Sequence, residues 1–112
     1  FQEVAHIPFW VYDPRHPDCV GETRDSVVQT IDLPPTILDY FDIPATRDMQ
    51  GKSLTGAMLN DEPVREAALY GVMGGQVNVT DGQYVYMRGN VTEDNSPLFE
   101  YTLMPTHMNS LF

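Results

Sequence analysis

The stretch Thr30-Ile31-Asp32-Leu33-Pro34-Pro35-Thr36-Ile37-Leu38-Asp39-Tyr40-Phe41-Asp42-Ile43-Pro44 decides how this chain folds. Ile31, Pro34, Ile37, Leu38 and Phe41 fall on one face at helical spacing, which predicts an amphipathic helix with that face inward. Two prolines would break a helix interior. In the first turn they are tolerated, because those N–H groups have no intrahelical partner. Thr30 suits the capping position, and Asp32 suits the positive end of the helix dipole. Asp42-Ile43-Pro44 stops the helix, since the residue before a proline is pushed out of the helical region.

Upstream, Ile7-Pro8-Phe9-Trp10-Val11-Tyr12 is a short β-branched and aromatic block closed by Asp13-Pro14. It reads as a buried strand, with Pro8 near its start, where a proline is tolerated. Residues 13–25 have turn formers and no periodicity, and read as a surface loop. Downstream, a loop over 44–56 ends in Gly51-Lys52-Ser53-Leu54, and a short helix is expected around 54–60. The period then changes. Ala67–Val72 reads as a strand, broken by Gly74-Gly75. Val77–Thr80 and Gln83–Arg88 flank Asp81-Gly82, a hairpin signal because a type I′ turn needs positive φ at both central positions. Leu98–Leu103 reads as one more strand. The expected class is α/β, with a strand and helix first and an antiparallel meander after.

The chain has 112 residues, enough for one domain or a piece of one. Its formal charge of −10 argues against nucleic acid or an anionic membrane as partner. Its apolar runs fall short of the roughly 18 residues a membrane helix needs. A single cysteine excludes an internal disulfide and a Cys-based zinc site. That residue, Cys19, lies between Asp18 and Glu22, whose negative charge disfavours a nucleophilic thiolate.

Few other residues point to chemistry. His6, His16 and His107 do not share metal-ligand spacing. His6 precedes the expected strand, and His107 lies among methionines in Met104-Pro105-Thr106-His107-Met108, so these two are the candidates for substrate contact, although capping or packing is the plainer reading of each taken alone. Gly51-Lys52-Ser53 looks like the end of a phosphate loop, but position 46 is Thr where that loop needs its first glycine. The acidic residues lack the rhythm of a calcium loop. Asn78-Val79-Thr80 and Asn90-Val91-Thr92 are formal N-glycosylation sequons, and Thr80 has a simpler explanation in the hairpin.

The segment from Ile31 to Pro44 resembles the sulfatase family of the alkaline-phosphatase superfamily, which shows Asp-Leu-x-Pro-Thr-Leu-Leu-Asp-x-x-Gly-Ile, a loop, then Gly-x-Ser-Leu. The second part is matched here by Gly51-Lys52-Ser53-Leu54. Val4–Pro14 resembles the family's strand after its last active-site loop, and Thr80–Tyr86 the hairpin opening its small C-terminal sheet. Asp42 stands where the family usually has Gly.

The resemblance implies the C-terminal part of an alkaline-phosphatase-like fold. Residues 1–62 would end the α/β domain, and residues 63–112 would begin the small antiparallel subdomain. It implies a hydrolase of sulfate esters within a longer enzyme, or in relatives a hydrolase of phosphate or phosphonate esters. A non-catalytic binding or assembly module is the alternative reading. The family works with a formylglycine made from Cys or Ser in Cys/Ser-x-Pro-x-Arg and with a divalent cation, usually calcium. Cys19 is followed by Val20-Gly21-Glu22-Thr23 and does not match. The family's metal ligands and its catalytic His and Lys would lie upstream of Phe1. No catalytic or metal-binding residue is therefore carried over, and no cofactor is expected on this segment. His6 stands where many relatives have Arg. Alone, the segment is expected to be inactive and to self-associate through its unpaired strand. The sequence does not point to a compartment.

Overall fold

The computed structural model describes residues 5–72 and 74–96. It is an α/β arrangement of two short helices and a three-stranded antiparallel sheet. Helix α1 spans Leu33–Tyr40 and is led in by a 3₁₀ turn over Thr30–Asp32. Both prolines sit in the first turn, as the sequence predicts. The helix ends in a Schellman arrangement. Ile43 N–H donates to the Leu38 carbonyl at 2.9 Å, and Asp42 N–H donates to that of Asp39 at 3.0 Å. Asp42 takes φ 55°, a left-handed conformation that glycine adopts without cost. Helix α2, Thr55–Asn60, also stops at a left-handed aspartate, Asp61 at φ 53°.

The sheet consists of β1 (Ala68–Gly71), β2 (Val77–Thr80) and β3 (Val85–Arg88), in the order β1-β2-β3. Leu69 pairs with Val79, and Val79 with Tyr86. The meander is therefore present, but its hairpin is not a two-residue turn. Thr80 pairs with Val85, leaving a loop of residues 81–84. The Asp81 carboxylate accepts from Gln83 N–H at 2.9 Å and Tyr84 N–H at 2.7 Å, and Gly82 takes φ 95°. These two bonds make an Asx-type loop, which outcompetes the tighter turn. Gly82 N–H donates to the Thr80 hydroxyl at 3.1 Å, which gives Thr80 the hairpin role expected of it. The expected strand over Leu98–Leu103 lies outside the described residues.

The core is small. Leu54, Ala57 and Val64 are buried, with Leu33 and Met58 packed against them. Two expectations fail. Ile7–Tyr12 forms no strand, and Trp10 and Tyr12 are 84% and 73% exposed. A strand needs a neighbour for its N–H and C=O groups, and none of the described residues pairs with this one. The apolar face of α1 is also uncovered: Ile31, Ile37 and Phe41 are 47%, 58% and 63% exposed. The helix instead turns Leu33, Pro35 and Thr36 inward, because the core of this chain lies on that side.

Candidate functional site

The densest polar geometry is built around Asp32, whose side chain is fully buried. Its carboxylate faces three elements at once. Oδ2 accepts from Gln29 N–H at 2.8 Å. Oδ1 accepts from Lys52 N–H at 2.9 Å and is paired with the Arg65 guanidinium. A buried charge is costly unless paired and hydrogen-bonded, and Asp32 is both. Its role thus exceeds the dipole effect expected from its position. The Asp32 carbonyl accepts from the Thr36 hydroxyl at 2.5 Å, and that oxygen accepts from Leu54 N–H at 2.9 Å. Gly51 passes so close to residue 31 that a Cβ there would lie 1.8 Å from the Ile31 carbonyl oxygen. The two halves of the motif, residues 30–36 and 51–54, are thereby clasped together.

The clasp extends to the sheet. Arg65 also donates to the Gln29 side-chain carbonyl, and the Gln29 amide donates to the Leu69 carbonyl of β1 at 2.6 Å. Lys52 Nζ donates to the Val64 carbonyl at 2.9 Å, while Val64 N–H donates to the Ser26 hydroxyl at 2.9 Å. Lys52 is thus a structural tie, in agreement with the rejected phosphate-loop reading. Arg24 closes the end of α2, donating to the Ala57 and Met58 carbonyls at 3.1 and 3.0 Å, where a cation also suits the helix dipole.

Beside the clasp lies a cleft of about 340 Å³, lined in part by Asp39, Lys52, Ser53, Thr55 and Glu62. One Asp39 oxygen accepts from both the Ser53 and Thr55 hydroxyls, at 2.5 and 2.6 Å. These bonds, Ser53 first, hold the carboxyl below its usual range. Such a carboxylate is a poor base. Ser53 points its proton at it and gains no activation as a nucleophile. A second groove, of about 240 Å³, runs between Val11–Asp13 and α1. Arg15 spans it, forked onto Asp13 at 2.8 Å and lying 3.9 Å over the Tyr40 ring. The Arg15 side-chain bond lowers the Asp13 pKa to about 2.

The candidates from sequence do not meet here. His6 is exposed in the segment before Ile7, and His107 lies outside the described residues. Cys19 is half-buried in a 3₁₀ turn, Pro17–Cys19. Among the described residues, no three His, Cys, Asp or Glu side chains converge to hold a metal ion. No described helix is long and apolar enough to cross a membrane. Arg65 and Gln29 are the clasp residues that sequence reading missed. Arg65 lies 33 positions from Asp32, and Gln29 reaches Leu69 40 positions on, while its bond to Asp32 three residues away is a capping box that the i, i+3 spacing could have shown.

Over 66 residues the chain is 38% identical to human N-sulphoglucosamine sulphohydrolase, a match covering 51% of this chain and 13% of that protein. The match spans only a small part of that protein's length and supports, at most, a relationship to the sulfatases. No family model matches the chain. No solved structure matches it.

Proposed function

We propose that this chain is the C-terminal part of a sulfatase-type hydrolase, in which the Asp32 clasp joins the end of the α/β domain, residues 1–62, to the start of the small subdomain, residues 63–112. The observation that carries the reading is the 38% identity to a sulfohydrolase over 66 residues. Two features support it. The motif residues Asp32, Thr36, Gly51 and Leu54 all take part in one structural contact set, which accounts for their spacing without a catalytic role. The uncovered side chains of residues 7–12 and of α1 supply the apolar surface that a larger sheet would bury.

In this reading the reacting groups, a formylglycine and a divalent cation of the calcium type, are held by the rest of the enzyme. His6 and His107 are the side chains assigned to the substrate rim. The relative's name points to a sulfated amino sugar as the substrate class. The test is the full-length polypeptide offered an aryl sulfate, glucosamine N-sulfate, an aryl phosphate and an aryl phosphonate. Turnover of either sulfated compound above the other two is expected. Preference for phosphate or phosphonate would move the protein to another branch of the superfamily. A folded polypeptide inert toward all four would make it a non-catalytic module.

A further inference from the structure

The two sequons have opposite fates in the fold. Asn78 lies in the middle strand, opposite Tyr70 on one side and Met87 on the other. It is 2% exposed, and among the described residues its Oδ1 has no hydrogen-bond partner. An N-linked sugar there would have to break the face that covers the amide. Asn90 follows β3 in an irregular segment and is exposed. Among the described residues, its amide makes one long hydrogen bond, Nδ2 to the Gly74 carbonyl at 3.3 Å. Val91 is 85% exposed, and a Cβ at neighbouring Gly89 would meet nothing within 4 Å. The hydroxyl residue Thr92 lies in the same bend, where the sequon can curl to bring its hydroxyl toward the Asn amide.

We propose that Asn90 is an acceptor site for an N-linked oligosaccharide and that the fold withholds Asn78 from the same modification. The donor is a lipid-pyrophosphate-linked oligosaccharide. Asn90 Nδ2 bonds to the anomeric carbon, the carbon–oxygen bond to the pyrophosphate breaks, and the lipid pyrophosphate leaves with that electron pair. The amide gives up one proton to a base of the transferase. The inference stands on burial and backbone placement alone, so its outcome leaves the sulfatase reading untouched.

The test treats the folded full-length polypeptide with a single-subunit oligosaccharyltransferase and a synthetic lipid-pyrophosphate disaccharide. The same reaction is run on urea-unfolded chain, with site occupancy read by peptide mass spectrometry. In the folded chain, transfer to Asn90 and none to Asn78 is expected. In the unfolded chain, Asn78 becomes modified as well. Asn90→Gln abolishes transfer to the folded chain, and Asn78→Gln leaves it unchanged. Failure to modify Asn90 in the folded chain, or sugar on Asn78 there, overturns the proposal.

Discussion

Residues 29–69 around Asp32 and the hexapeptide Ile7–Tyr12 both have the composition of ordered structure, yet only the first finds its partners in this chain. Every polar group of the Asp32 carboxylate is met by Gln29, Lys52 or Arg65. The hexapeptide, richer in apolar residues, leaves Trp10 84% exposed. Apolar content alone does not order a segment. A strand must also place its backbone N–H and C=O groups, and a carboxylate with three donors around it does so locally for its neighbours.

The comparison breaks most easily at Asp32. Asp32→Ala leaves the largely covered Arg65 without its counter-charge, a loss of about 3 kcal/mol that urea denaturation of the full-length polypeptide would read. A shift of under 1 kcal/mol would mean the clasp is ornamental. Gly51→Ala drives a Cβ into the Ile31 carbonyl and is expected to cost about 3 kcal/mol in the same measurement. Trp10→Ala sharpens the other side. In this chain alone it should change stability by no more than about 0.5 kcal/mol, as exposed substitutions do, and should lower the self-association expected of the exposed segment, with sedimentation velocity as the measurement. In the full-length polypeptide the same substitution should cost about 3 kcal/mol if a larger sheet buries the ring. Equal effects in the two contexts would remove the distinction.

Two smaller effects run through loops. Asp42→Gly relieves a left-handed residue and should raise stability by about 0.5 kcal/mol, visible as a higher urea midpoint. Asp13, lowered from 3.8 to about 2 by Arg15, is the last. A depressed carboxyl contributes stability above its unfolded pKa and loses it as pH falls through the folded one. The Arg15 clamp over Tyr40 should therefore hold above pH 3.8 and loosen toward pH 2, and NMR titration of Arg15→Ala should return Asp13 to its ordinary value.

Much of the local structure was legible from residue type. The two prolines marked the first turn of α1, Asp42-Ile43-Pro44 its end, and Asp81-Gly82 the hairpin, because each acts through its own backbone or its immediate neighbours. The family's usual glycine at position 42 also has its reason in the φ of 55° there. The site was legible only as a motif. Asp32, Thr36 and Gly51 stand in it, but nothing local shows that the Asp32 carboxylate would reach Lys52 and Arg65. Arg65 carried no signal, since its partners are set by chain crossing and not by spacing, whereas the bond between Gln29 and Asp32 is a local capping box.

By itself, then, the sequence determined the span of α1, its stop and the place of the hairpin, all of which depend on short-range sterics and hydrogen bonding, whereas the cap is Gln29 and not the expected Thr30, because Gln29 and Asp32 close a capping box. Only the tertiary structure decided which face of α1 is inward, that the hairpin loop takes four residues, that Ile7–Tyr12 has no strand partner among the described residues, and that Asn78 and Asn90 differ. Each of these depends on which distant groups compete for the same surface or hydrogen bond, and amino-acid order alone does not state where those groups will lie.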